Sequence, residues 1–320
     1  MSVCSVEIYG FIKEWAAMNG FADFGCAAAG KISHQLQGHY LAALQRGNFA
    51  SMDYLKRNLE KRFNPSLLVP GARSVLVFLA PYSLPSNLAP VSGIAQYALG
   101  EDYHTVIKGK LFNLMEILKE KVPEFEGRAF TDSAPILERE WGVRACLGWI
   151  GKNNFLISRS CGIKNLIGII ICNLELPQTS EAEPQKRSQN TGDCGNCTRC
   201  LDNCPTGALE RPFATNARLC ISYHSIENRN LAESIRNGDI PAFTDKFFGC
   251  DNCLDACPWN SANKEGWMEF RSNYELLSGR GKDWWMMLEE ADFKKLFKNS
   301  PILRGGLNNI KAALEWGKKD

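Results

Sequence analysis

Eight cysteines crowded into residues 194–257 constrain this chain more than any other feature of its sequence. The other five of its thirteen (Cys4, Cys26, Cys146, Cys161 and Cys172) are scattered along the chain before the block. "CGNCTRCLDNCP" sets Cys194, Cys197, Cys200 and Cys204 in the C-x2-C-x2-C-x3-C-P run of bacterial ferredoxins. Three closely spaced thiolates wrap one corner of a cubane, and the fourth, turned away by Pro205, serves a second cluster. "CDNCLDACP" repeats the later part of the pattern with Cys250, Cys253 and Cys257, and Phe247 stands where a first cysteine would be. Cys220, in "ARLCISYHSIE", is the remaining cysteine of the block and the eighth ligand. Exchanging the fourth ligands predicts one [4Fe–4S] cluster on Cys194, Cys197, Cys200 and Cys257. The other falls on Cys204, Cys220, Cys250 and Cys253. Structural zinc, which also uses C-x2-C pairs, accounts poorly for runs of four and three cysteines that each end in Cys-Pro.

The rest of the sequence sets the context. The start carries no basic segment followed by an apolar run, so a reducing, cytoplasmic setting is expected and disulfides are not. The apolar stretches "SVLVFLAP" and "NLIGIIIC" are too short to span a bilayer. With a net charge of +2, contact with nucleic acid would need a local patch.

The first 176 residues read as mixed α and β structure. "VEIYGFIKEWAAMNG" has helical spacing and stops at Gly20, and "DYHTVIKGKLFNLMEILKEKV" continues for several helical turns. "SVLVFLAPY", "GRAFTD", "NNFLIS" and "NLIGIIICNLEL" read as strands, the last apolar and β-branched as a central strand would be. "SAPILEREW" reads as a helix following "GRAFTD". The polar stretch "PQTSEAEPQKRSQNTGD" marks a boundary. The fold class expected is α+β: an α/β catalytic domain over 1–180, a ferredoxin-like two-cluster domain over 181–265, and a short helical extension over 266–320, with "EEADFKKLFKN" and "LNNIKAALEW" as its helices.

Two clusters in contact form an electron wire, and a large α/β domain in front of them points to an acceptor. Clusters pass single electrons, so a two-electron substrate favours an intervening flavin or corrinoid. No G-x-G-x-x-G follows a strand, and no P-loop is present. Asp102, Tyr103 and His104 begin a D-x-H-x-x-G pattern, but Gly109 falls two residues late, so His104 is expected to be structural rather than an axial ligand. Asp132 sits where a strand meets a helix, and position alone favours an N-cap. The functional alternative is a carboxyl at a strand mouth, its pKa raised by desolvation, acting as a proton donor. "LGWIGKNNFLI", with Trp149, Lys152 and Asn153, reads as a tight turn or a cofactor-lining loop.

Taken together, "MDYLKRN", "LVPGARSV", "YALGEDYHTVIKGKL", "TDSAPILER", "LGWIGKN", "LCISYHSIE" and the cysteine motifs resemble the epoxyqueuosine reductases, cobalamin-dependent iron–sulfur enzymes of tRNA queuosine synthesis. The resemblance covers roughly residues 10–265. It implies a cobalamin between the α/β and cluster domains, and reduction of epoxyqueuosine to queuosine at the tRNA wobble base. That reaction is a two-electron, two-proton deoxygenation to an alkene. Asp132 falls on the family's proton donor. Arg57, Leu156, Ile167, Ser222 and Asp251 fall, with Asp132, on its corrinoid contacts. The expected partners are the tRNA anticodon loop and an external electron donor, and the expected state is a monomer. Two other classes compete: a reductive dehalogenase-like corrinoid oxidoreductase, and a non-enzymatic electron carrier or corrinoid-handling module. The chain departs from the family pattern at "SCGIKN" and at Ala145-Cys146, and it ends soon after the clusters. Lys56, Arg57, Lys61 and Arg62, with Lys294, Lys295, Lys298 and Arg304, offer a basic strip for phosphate contacts.

Overall fold

The computed structural model describes residues 4–186, 192–240 and 245–317. Its strands in chain order are β1 (Asp23–Ala28), β2 (Ser74–Pro81), β3 (Gly127–Phe130), β4 (Trp149–Ile150), β5 (Leu156–Ile157), β6 (Asn165–Cys172), β7 (Leu209–Arg211) and β8 (Ala214–Thr215). An antiparallel sheet in the order β1-β2-β6-β3 forms the centre, and β4-β5 and β7-β8 are small two-stranded pairs.

β2 and β6 are apolar throughout because both of their faces are covered. Leu76, Phe78, Ala80 and Ile170 point to one side, where the helices Ser5–Met18 and Tyr103–Lys121 lie across the sheet. Val75, Val77, Leu79, Ile169 and Ile171 point to the other, against Trp141, Leu147 and Leu156. Each such buried side chain contributes about 1.5–3 kcal/mol of transfer free energy. Helix Ser5–Met18 buries Ile8, Ile12, Trp15 and Ala16 on one face. The chain leaves it through Gly20 at φ +82°, a left-handed conformation that suits glycine.

The C-terminal helices Lys282–Met287, Glu290–Leu296 and Leu307–Trp316 share one core with helix Ile221–Ile226 and with residues 91–99. Trp285, Phe293, Phe297, Ile302 and Ile310 meet Ile221, Phe247 and Phe248 there. The start of the polar boundary stretch is docked rather than free. Thr179 Oγ1 accepts the Cys26 N–H at 2.7 Å, and Lys186 pairs with Asp23. Residues 187–191 of that stretch lie outside the described residues. Among the described residues no helix is long and apolar enough to cross a membrane.

Several local expectations change. β1 and the helix His34–Gln45 were not legible as elements. "NNFLIS" narrows to the two-residue β5. "SAPILEREW" is helical only from Glu138, and its N-cap is Leu137. Pro135 is the reason: it disfavours the α conformation at Ala134. Asp132 lies outside that helix at φ 51° and caps nothing.

Candidate active site

The thiols gather in two groups. Cys194, Cys197, Cys200 and Cys257 line one cavity together with Lys152, Asn153 and Trp259. Burial pushes the Cys257 thiol up, and the nearby Cys194 and Cys197 push in the same direction. Cys253 is pushed up by burial first and then by its neighbours Cys250, Cys220 and Cys204, which complete the second group. Cys250 is pushed up to about 12, mainly by burial, with Cys220 beside it. At Cys204 the outcome reverses: despite burial, the backbone of Leu209, Thr206 and Ala208 draws the thiol down. Backbone amides aimed at a sulfur in this way stabilise its thiolate. Among the described residues no group of three or more His, Cys, Asp or Glu is set for a single metal ion. Four thiols in each group match the four iron atoms of a cubane, one thiol to each.

The "LGWIGKN" segment braces the first group. Gly148 lies so close to β5 that a Cβ would stand 2.0 Å from the Ile157 carbonyl oxygen, which fixes glycine there. The tight β4–β5 turn aims Lys152 and Asn153 at the cysteine loops. Lys152 Nζ donates to the carbonyls of Gly195 at 2.6 Å and Cys197 at 2.9 Å. Asn153 Nδ2 donates to the Cys253 carbonyl at 3.1 Å. One short turn thus ties both thiol groups to the α/β sheet.

Asp132 occupies the mouth of β3. Its backbone N–H donates to Glu138 Oε1 at 2.6 Å, and Tyr103 donates its hydroxyl to Asp132 Oδ2 at 2.6 Å. The Asp132 side chain is 66% exposed, so it is not the desolvated carboxyl the sequence suggested. That role falls on Glu138, which burial, helped by the charge of Asp132, pushes up to about 8. His104, expected to be structural, stands beside this pair with Nε2 3.9 Å from Asp132 Oδ2. Tyr103, Glu138 and His104 were not assigned to the site by sequence. The one signal for two of them was their adjacency to Asp102 in "EDYHT".

Arg139, next to Glu138, donates Nη1 to the Asn154 carbonyl at 2.7 Å and lies over the Phe155 ring at 4.4 Å, which ties this helix to the β4–β5 turn. Tyr97 packs edge-on against Tyr103, with ring centroids 5.9 Å apart. Asp251 is buried, and its Oδ2 accepts the Gln96 N–H at 2.7 Å. Leu156 and Ile167 are buried on the sheet side, whereas Ser222 is half-buried at the start of helix Ile221–Ile226. Arg57 is exposed beside Asp53 and is not brought to this junction by any contact among the described residues. The basic strip also divides. Arg62 is buried and donates to the Tyr54 carbonyl, Arg304 grips Glu227 with two hydrogen bonds, and Lys56 and Lys294 pair with Asp53 and Glu290. Lys61, Lys295 and Lys298 remain exposed.

A pH-dependent stability follows from Glu138. Its folded pKa of about 8 exceeds the unfolded 4.5, so the folded state binds the extra proton between those values. Stability is therefore greatest below pH 4.5 and is lost as pH rises towards 8, each tenfold difference in proton affinity between the two states being worth about 1.4 kcal/mol. Glu138→Gln, which keeps an acceptor for the Asp132 N–H, should raise Tm at pH 8 and much less at pH 5. Thermal melts at the two pH values check this, and an equal gain at both would refute it.

An antiparallel α+β scaffold carrying this thiol set defines an iron–sulfur oxidoreductase. Comparisons with known proteins make that class specific. The family model for epoxyqueuosine reductase QueG, DUF1730, matches residues 62–133, and that for a 4Fe-4S double cluster binding domain matches residues 193–260. The epoxyqueuosine reductase of Cellulophaga algicola is 35% identical over 96% of this chain and 97% of its own length. That of Pseudomonas aeruginosa is 34% identical over 92% of this chain and 80% of its own. A selenomethionine-labelled epoxyqueuosine reductase shares the fold with TM-score 0.80 and 25% identity, over 96% of this chain and 82% of that one. A second structure, an epoxyqueuosine reductase with an epoxyqueuosine-modified tRNA-Tyr stem loop, also gives TM-score 0.80 at 24% identity, over 96% and 81% of the two chains. The chain belongs to the epoxyqueuosine reductase family.

Proposed function

We propose that this enzyme reduces epoxyqueuosine to queuosine at the wobble position of tRNA, using two [4Fe–4S] clusters, a cobalamin and Asp132 as proton donor. The observation that carries this reading is the gathering of the block's cysteines into two groups bound by one turn. Lys152 holds the loop of the first and Asn153 that of the second, on a scaffold that also presents the exposed Asp132 carboxyl held by Tyr103. Cys194, Cys197, Cys200 and Cys257 would hold one cluster, and Cys204, Cys220, Cys250 and Cys253 the other. Of the residues that the resemblance places on the corrinoid, half-buried Ser222 would offer its hydroxyl to a macrocycle fringed with amides, and the buried Leu156, Ile167 and Asp251 would back the site from beneath. When bound, cobalamin supplies a cobalt centre able to gather single electrons for a two-electron reduction.

The chain's own residues do the rest. Tyr103 and Glu138 hold Asp132 by its carboxyl and its backbone, and its side chain stays open to solvent. There it would protonate the oxygen leaving the epoxide carbon. Lys152 and Asn153 keep the cysteine loops seated on the sheet. The exposed Lys61, Lys295 and Lys298 are available to tRNA phosphates. The physiological setting we infer is the cytoplasm.

Anaerobic reconstitution should give about eight iron and eight acid-labile sulfide per chain, from two cubanes. With cobalamin, a strong reductant and tRNA from a strain blocked at epoxyqueuosine, nucleoside mass spectrometry should show queuosine accumulating. Stoichiometric zinc with little iron, or unchanged epoxyqueuosine under these conditions, would sink the reading.

A further inference from the structure

Removing an epoxide oxygen as water consumes two protons along with two electrons. Asp132 carries one proton at most, and each protonation of substrate leaves it a carboxylate. A second proton source has to stand within reach of that carboxylate, and the structure supplies an imidazole. His104 Nε2 lies 3.9 Å from Asp132 Oδ2. Its other nitrogen, Nδ1, is 2.7 Å from Asp102 Oδ1, which also accepts the His104 backbone N–H at 2.9 Å. Asp102 is the N-cap of helix Tyr103–Lys121, so the imidazole is anchored at a rigid helix start. Despite burial, these bonds from His104 hold the Asp102 carboxyl below its usual range. With Nδ1 engaged by Asp102, Nε2 is the nitrogen turned to Asp132. The ring stacks on Tyr103 at 4.1 Å between centroids, which fixes its plane.

We propose that His104 reloads Asp132 with a proton during each turnover, an inference that rests on Asp132 being the proton donor. Asp132 gives its proton to the substrate oxygen and becomes a carboxylate. The N–H at Nε2 then breaks as an O–H forms at Asp132 Oδ2, and a half-turn of the carboxyl group carries that proton to the substrate side for the second transfer. His104, 27% exposed at its side chain, then takes a proton from solvent, so the cycle balances without any further reactant. The 3.9 Å gap is closed by one water or by a small turn of the Asp132 side chain.

Other groups around Asp132 are less suited. Tyr103 donates to the same Oδ2, but burial first and the Asp132 charge second raise its pKa far above neutrality, so it orients the carboxyl and keeps its proton. Burial raises Tyr54 and Tyr97 in the same sense. Arg304 is bound to Glu227, and Arg139 is a permanent cation. Glu138 is the competing source, since desolvation and the Asp132 charge push its carboxyl up, but the contact it makes is with the Asp132 backbone N–H.

The test uses the reconstituted holoenzyme with tRNA substrate and excess reductant. His104→Ala should keep both clusters and an unchanged cobalamin absorption spectrum, and should turn over about 10–10²-fold more slowly, short of the full general-acid effect. Added imidazole should restore that variant, and it should not restore Asp132→Asn. His104→Gln, which preserves bulk and polarity but carries no proton to give, should be as slow as His104→Ala. Three results would each overturn the proposal: full activity in either His104 variant, a loss that imidazole leaves unrepaired, or a comparable loss in Glu138→Gln with His104→Ala unaffected. Full activity in Asp132→Asn would instead overturn the reading beneath it.

Discussion

Asp132→Asn should fold as the wild type does, bind both clusters and cobalamin, and lose about 10²–10⁴-fold in epoxide reduction, the span general acid catalysis contributes. The structure makes this substitution unusually clean. Asp132 caps no helix, so no capping hydrogen bond is lost. Its φ of 51° is a conformation in which asparagine is enriched, so the backbone stays unstrained. The amide oxygen of asparagine can still accept the Tyr103 hydroxyl, and the Asp132 N–H bond to Glu138 does not involve the side chain. What disappears is the acidic proton. Circular dichroism, iron content and the cobalamin spectrum should match the wild type while queuosine formation collapses. Wild-type turnover would remove Asp132 from the chemistry.

Cys220→Ser should halve the iron, from about eight to about four per chain, because a cubane that lacks one of four thiolates is poorly held. Cys220 is the N-cap of helix Ile221–Ile226, where the backbone of Tyr223 and Ser222 bonds its thiol, and it lies near Cys204, Cys250 and Cys253. Serine is a favoured N-cap, so the helix should survive the exchange. The group of Cys194, Cys197, Cys200 and Cys257 shares no thiol with it and should keep its cluster. Iron and sulfide analysis together with EPR of the reduced protein would decide. Loss of both clusters, or of neither, would show that Cys220 is not a ligand of one cubane alone.

The iron–sulfur character of the residues around 193–260 was legible in the sequence, because ligand spacing within a short segment is a local property. Three closely spaced cysteines can wrap one corner of a cluster whatever the rest of the chain does. The two central strands were legible for a similar reason: burial on both faces leaves an uninterrupted apolar run, as in "SVLVFLAP" and "NLIGIIIC". The helices Ser5–Met18 and Tyr103–Lys121 declared themselves by spacing. Strand β1 did not, because "DFGCAA" is short, holds a glycine and gains its order from pairing with β2.

Only the tertiary structure decided what surrounds Asp132. Its neighbours come from distant segments: Tyr103 and His104 from the start of one helix, and Glu138 from another. Position at a strand end suggested a cap, but Pro135 moved the helix start to Glu138 and left Asp132 open. Burial likewise fell on Glu138, a residue that nothing in its own sequence context marks out. The basic strip was divided by the same kind of information, with Arg62 drawn inside and Arg304 bound to Glu227. Ligand spacing and hydrophobic period belong to a few consecutive residues and can be read from them. Exposure, charge environment and proton paths depend on which remote segments meet, and those are fixed only when the sheet, the thiol loops and the C-terminal helices close on one another.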